Sequence, residues 1–324
     1  MMTTSAPLFV SSGDLIADRR YKWAIDHAQR GDLAGAAEIL TQTVELAPAF
    51  ATAWFALGAI RDVLGDRTGA VAAFAAARDA DPEDYHGARL HLARLGAGEA
   101  TPDVTATYVR RLFDQHAPAF DEMMQERLAY RGPKLLLDAV RAVAGSAARF
   151  SSMLDLGCGT GLAGAAFRPH VDSMVGVDLS AGMIDQARRK GVYDRLLTLD
   201  LGEFLAAEAA SRSRYQLVVA ADVFVYCSDL FPIAAAVGKV LAARGLFAFS
   251  VETHGDAGVL LRETLRYAHG EDHARTVLAD AGLAVASLAA ASSRREKGIP
   301  VPGLVVVAAK PASTMPRSET NSSQ

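Results

Sequence analysis

A chain of 324 residues that is 51% hydrophobic and 22% charged can bury a sizeable core, and at about 150 residues per domain it has room for two. Its 33 Lys and Arg against 37 Asp and Glu give a net charge of −4, a balance that disfavours nucleic acid as a partner. Two cysteines, Cys158 and Cys227, cannot build a disulfide scaffold and suit a reducing compartment. The opening MMTTSAPLFVSSGDLIADRR has no basic stretch leading into a sustained apolar one, and no apolar run approaches the roughly 20 residues of a membrane helix. A cytoplasmic globular protein without a membrane span is expected.

In chain order, residues 1–16 read as a flexible start and 17–96 as an all-α domain with an internal repeat. Overlaying 17–50 on 51–84 aligns Gly31 with Gly65, Asp32 with Asp66, Ala36 with Ala70, Leu40 with Phe74 and Pro48 with Pro82. In the second copy Trp54, Leu57, Gly58, Ala70, Phe74, Ala77 and Pro82 occupy the signature positions of a tetratricopeptide repeat. Small residues let the paired helices approach, Trp54 and Phe74 fill the space between turns, and Pro82 ends the second helix. Tyr85–Leu95 reads as a capping helix. Two such repeats make a platform for a partner and carry no chemistry of their own.

Residues 97–104 form a linker by their Gly, Pro and small polar content, with Asp103 or Thr105 to cap the next helix. From 105 to 311 short apolar runs alternate with amphipathic stretches, the pattern of a parallel α/β sheet. The expected strands are SMLDLG, SMVGVD, RLLTLD, YQLVVAAD, GLFAFSVE, LAVASLAAA and GLVVVAAK, with helices starting near Leu162, Ala181, Glu203, Leu230 and Val259. Residues 312–324 read as a disordered tail.

The chemistry lies in LDLGCGTGLAG, Leu154 to Gly164, where a strand turns through glycines into a helix. Such a turn lets a ligand approach the main chain. Gly159 to Gly164 also satisfies the G-x-G-x-x-G dinucleotide pattern, which keeps an NAD(P)-binding Rossmann oxidoreductase as the alternative. The acids argue otherwise. Asp155, two residues before Gly157, repels phosphate and attracts an amine. Asp178, closing the second strand, is placed to accept from both ribose hydroxyls. Asp200 closes the third strand, where an exocyclic adenine amine would lie, and Asp222 the fourth. The implied ligand has an amine, a ribose and an adenine, and no phosphate. Each acid, taken singly, also suits a helix N-cap.

This combination resembles the class I S-adenosylmethionine-dependent methyltransferases, in the DLGCGTG, VGVDLS, LTLDL and VVAADVFVY segments. With its repeats included, the chain is similar to bacterial predicted methyltransferases containing tetratricopeptide repeats. The resemblance implies a Rossmann-like seven-stranded sheet with helices on both faces and its last strand antiparallel. It implies S-adenosyl-L-methionine as cofactor and no metal. By the same resemblance the Gly157, Cys158 and Gly159 main chain lies along the methionine moiety, and Asp155 meets the amino end. Asp178 takes the ribose, Leu179 and Met183 pack near the adenine, and Asp200 and the Leu201 N–H contact it. The segment Thr107–Glu122, with Tyr108, Phe113, Asp114, Ala117, Phe120 and Asp121 in the family's spacing, would cover the cofactor.

On the acceptor side, Asp222, Phe224 and Tyr226 follow the fourth strand, and Glu252 and His254 the fifth; His269 is a further candidate for hydrogen bonding or proton removal. The N-P-P-Y form of amide and adenine methyltransferases is absent, and the covering segment tilts the acceptor toward a small molecule. A non-catalytic adaptor built on a vestigial methyltransferase fold is the remaining alternative.

Overall fold

The computed structural model describes residues 9–101 and 103–312, and the chain divides into two units. The first comprises residues up to Gln115 together with Tyr226–Ser228 and Val259–Tyr267; the second comprises the rest. The expected tail beyond Ala312 and the first eight residues lie outside the described residues. Residues 9–16, expected to be flexible, are built into the first unit. Phe9 packs on Tyr21 and Phe50 at 5.5 and 6.1 Å between ring centroids, and Ser11 and Ser12 hydrogen-bond to Asp18.

Helices α1 (Leu15–Gln29), α2 (Leu33–Leu46), α3 (Ala51–Val63) and α4 (Arg67–Ala80) form two hairpins. The repeat seen in the sequence is repeated in geometry. Gly31 and Gly65 take φ of 88° and 81°. The following Asp32 and Asp66 each cap the next helix through the N–H of Gly35 or Gly69, both at 2.9 Å. At Gly58 a Cβ would stand 2.8 Å from the Phe74 ring, so only glycine lets α3 and α4 come this close. Tyr21, Leu40, Phe50, Leu57 and alanines at 36, 53 and 56 make the core. The closing helix α5 is shorter than expected, Ala88–Arg94. Helix α6 (Ala106–His116) is capped by Thr105, whose hydroxyl accepts from the Tyr108 N–H at 3.2 Å. A second-domain start at residue 105 does not hold for α6. Its Arg111 lies over the Tyr85 ring and donates to the Tyr85 carbonyl at 2.7 Å.

His86 and His91 sit among Phe55 and Phe74, with Phe74 stacked on His91 at 4.6 Å. Burial pushes both imidazoles down to about 4. The unfolded imidazole titrates near 6.5, so the neutral form stabilises the fold above about pH 6.5, and that contribution is lost as pH falls toward 4. It is worth on the order of 3 kcal/mol per histidine. Helical content followed against pH is expected to fall early in acid, and His91→Phe to move that loss to lower pH. An unchanged profile would refute it. Asp84, pushed up to about 6 by burial, titrates with the opposite sign, so the comparison of variants isolates the imidazole.

The second unit begins with a short turn α7 (Phe120–Glu122) and helix α8 (Gly132–Ala144). Then β1 (Phe150–Leu156), α9 (Leu162–Phe167), β2 (Val171–Asp178), α10 (Ala181–Lys190), β3 (Arg195–Thr198), α11 (Leu201–Ala210), β4 (Tyr215–Ala220), α12 (Phe231–Val240) and β5 (Leu241–Glu252) alternate. Short strands β6 (Val259–Leu261) and β7 (Tyr267–His269) follow, then α13 (Glu271–Asp280), β8 (Ala284–Ala290), the small pair β9 (Arg295–Glu296) and β10 (Ile299–Pro300), and β11 (Gly303–Ala309). The main sheet runs β3-β2-β1-β4-β5-β11-β8. Its first five strands are parallel and β11 lies antiparallel between β5 and β8, so all seven expected strands are present.

Alternation along the strands fills both faces. Met153, Leu217, Val219, Ala248, Val305 and Val307 pack with Leu136 and Val140 of α8 and Phe167 of α9. Phe247 and Phe249 point the other way, toward Phe224, Ala234 and the α13 residues Ala274, Val277 and Leu278. The helix expected near Val259 is absent. VLLRETLRYAH has helical spacing, but Leu265 takes φ of 59° and reverses the chain, and the Arg262 N–H bonds to the Arg266 carbonyl at 2.9 Å. The next helix waits until Glu271.

Candidate active site

β1 runs out at Leu156 and the chain turns through Gly157 to Gly161 into α9. Two hydrogen bonds tie this turn to β2: Cys158 N–H to the Val177 carbonyl at 3.0 Å and Gly159 N–H to the Asp178 carboxylate at 2.8 Å. Gly159 takes φ of 53° with open space where a Cβ would stand. Gly157 is covered instead, since a Cβ there would lie 2.6 Å from Val223. The Asp178 carboxylate also accepts from the Ser180 N–H at 2.9 Å, and Ser180 itself caps α10. Asp178 is thus not the cap of the helix that follows it; its acceptor capacity of about four sites serves the turn and the strand end.

The other expected cofactor residues divide. Asp200 is the N-cap of α11, accepting from Gly202 and Glu203 at 2.8 and 3.3 Å. Leu179 and Leu201, which follow Asp178 and Asp200 in the chain, are half-buried. Met183 is wholly buried and offers no surface to a ligand. Cys158 is buried, and burial drives its thiol well above the usual range, so it is a small turn residue and not a nucleophile. Asp155 has no exposed surface; its carboxylate lies under the turn and accepts from the Tyr193 hydroxyl at 2.6 Å. Direct contact with a ligand is closed to it in this arrangement. Tyr108 falls in the first unit, its ring against Gly87.

The segment before α8 meets the turn through Asp121. Its carboxylate accepts from the Thr160 hydroxyl and pairs with Lys190 at 2.5 Å, while Lys190 also donates to Thr160 at 3.2 Å. Residues 117–119 pack beside α10. Phe113 and Asp114 of the same expected cover belong to the first unit.

On the acceptor side a buried arginine reorganises the expectations. Arg294, 4% exposed, lies between β9 and β8 and binds Asp222 at 3.1 Å, Glu252, and Glu296 at 3.3 Å. Asp222, with φ of 56°, further accepts from Ser250 and Ser293, both at 2.7 Å. Asp222 and Glu252 were expected to face an acceptor; they are instead engaged in this ion cluster, because a buried guanidinium needs carboxylates to offset its desolvation. His254 uses both ring nitrogens, Nδ1 accepting from Asp256 N–H at 3.3 Å and Nε2 donating to the Gly258 carbonyl at 3.2 Å. Both nitrogens are thus already engaged. His269 is wholly buried, with Nε2 3.4 Å from the Phe224 carbonyl and its ring stacked on His273. Tyr226 belongs to the first unit, its ring 5.4 Å from Phe113. Sequence reading missed Arg294 and Tyr193. In SSRREKGIPVP nothing distinguishes the inward Arg294 from Arg295, and Tyr193 sits in a loop with no motif.

Residues 154–247 match the methyltransferase domain family. A stretch of 112 residues, 34% of this chain, is 35% identical to methyltransferase-like protein 27 of Homo sapiens and spans 44% of that protein's length. Among solved structures the chain is similar to the N-methyltransferase NodS of Bradyrhizobium japonicum WM9 in complex with S-adenosyl-L-homocysteine. That match has 16% identity and a TM-score of 0.48, covering 62% of this chain and 98% of that one. It is also similar to the magnesium protoporphyrin IX methyltransferase ChlM of Synechocystis PCC 6803, with 18% identity and a TM-score of 0.49, covering 63% and 99%. The family match begins in β1 and ends in β5. The residues present would fit S-adenosylmethionine, the donor that the sequence resemblance implies: the turn is open at Gly159, and Asp178 closes β2 one hydrogen bond away.

Proposed function

We propose that the chain transfers a methyl group from S-adenosylmethionine to a small-molecule acceptor in the cytoplasm, and that its first unit, a pair of tetratricopeptide-type repeats, docks a protein partner. The observation that carries the reading is the open glycine turn fastened to Asp178 at the end of β2. When bound, the donor supplies an electrophilic methyl on a sulfonium. Asp178 would hold the ribose hydroxyls, the main chain at Gly159 allows close approach, and Leu179 and Leu201 would flank the adenine with Asp200. Asp121, on Thr160 and Lys190, holds the chain just before α8 against the turn.

The chain's contribution to rate is then positioning and exclusion of water. Asp222, Glu252 and His254 are engaged with protein groups, and a base is needed only for an acceptor protonated at neutral pH. The net charge of −4 argues against nucleic acid, and no helix among the described residues is long and apolar enough to cross a membrane. The dinucleotide alternative is disfavoured by the Asp155 carboxylate under the turn, which would repel phosphate. Cell extract incubated with isotopically labelled S-adenosylmethionine, with and without the protein, is expected to yield a labelled small molecule by mass spectrometry. No labelled product, or labelling that survives Asp178→Ala, overturns the reading.

A further inference from the structure

Tyr193 stands in the loop between α10 and β3, outside every motif, yet three glycines face it. A Cβ on Gly164 would lie 2.3 Å from its hydroxyl oxygen, and one on Gly176 2.9 Å from its ring. One on Gly161 would lie 3.1 Å away. Its ring thus occupies the volume left by missing side chains on the turn, on α9 and on β2. Its hydroxyl donates to the Asp155 carboxylate at 2.6 Å, and the other carboxylate oxygen, Oδ1, is buried and makes no hydrogen bond among the described residues. We propose that Tyr193 is a positioning residue for cofactor binding, supporting the glycine turn from beneath and holding the Asp155 carboxylate under the place where the ligand's amino end lies. This rests on the reading of the second unit as an S-adenosylmethionine-binding domain.

The electrostatics follow from the packing. Burial pushes the Asp155 carboxyl up to about 7; the Tyr193 hydrogen bond and the nearby Gly164 N–H oppose the rise, and the Asp178 charge adds to it. Cys158 and Tyr130 face the same carboxylate, both with proton affinities raised by burial. None of these neighbours supplies a positive charge. An ammonium brought above the turn favours the ionised carboxylate, so ligand binding strengthens as pH rises through the Asp155 titration. Without the Tyr193 hydroxyl the ionised form loses its donor, and that titration moves to higher pH.

The probe is S-adenosylhomocysteine, which keeps the ammonium, titrated calorimetrically between about pH 6 and 8.5. Tyr193→Phe keeps the ring over the three glycines, so the variant should fold, with a melting temperature lowered by the loss of one buried hydrogen bond. The expected result is binding weakened about tenfold near neutral pH, a rise of the midpoint of the pH profile, and convergence with the parent chain at the alkaline end. Asp155→Asn, neutral throughout, is expected to flatten the profile with either residue at 193. If the parent chain binds and Tyr193→Phe matches it in affinity and midpoint, the positioning role is overturned while the methyltransferase reading stands. Failure of the parent chain to bind at any pH overturns both.

Discussion

Arg294→Met is expected to destabilise the second unit by about 3–5 kcal/mol, the largest single effect in the molecule. The guanidinium is 4% exposed and pairs with Glu252, itself 4% exposed, and with Asp222 at 12%. Removing it leaves carboxylates buried without their cation. Asp222 adds to the effect, because its left-handed backbone is held only while Ser250, Ser293 and Arg294 engage its side chain. Urea denaturation reads the loss directly. Combining Arg294→Met with Asp222→Asn and Glu252→Gln should recover much of it, since the penalty comes from the orphaned charges. A loss below about 1 kcal/mol for the single variant would show that the cluster is not what holds the ends of β4 and β5.

The second large effect falls on binding. Asp178→Ala is expected to weaken S-adenosylhomocysteine binding on the order of 100-fold. It removes the acceptor proposed for the ribose hydroxyls and the acceptor seen for two main-chain donors, Gly159 N–H and Ser180 N–H. Asp178→Asn separates the roles: the amide oxygen still accepts from one donor, while its NH2 group opposes the other. The turn should then loosen, which hydrogen exchange at Gly159 would register. An affinity for Asp178→Ala within about twofold of the parent chain would remove Asp178 from the site.

Much of the fold could be read from the chain because its strands fill a core on both faces, and the five parallel ones run into a glycine or an acid. The repeat was legible for a related reason: Gly31-Asp32 and Gly65-Asp66 each supply a positive φ and a cap in sequence neighbours. The reading failed where distant residues decide. VLLRETLRYAH keeps helical spacing, yet Leu265 turns the chain back. Thr107–Glu122 looked like one cover, but Arg111 on Tyr85 fixes its first half in the first unit, while Asp121 meets Thr160 in the second. Asp155, Asp178, Asp200 and Asp222 formed one series in the sequence and four different environments in space. One is buried under the turn, one is bonded to it, one caps a helix and one is paired to Arg294. Spacing reports where a strand ends, whereas burial and partners depend on loops such as those of Tyr193 and Arg294.

The packing of Tyr193 has a consequence for how this sequence can drift. Gly161 and Gly164, which pattern matching would credit to a bound nucleotide, face one aromatic ring of the protein itself, as does Gly176 on β2. Related chains should therefore change positions 164 and 193 together: where residue 193 is small, alanine or serine becomes tolerable at 164, and where it stays a tyrosine, 164 stays glycine; position 176 is also held by Leu196.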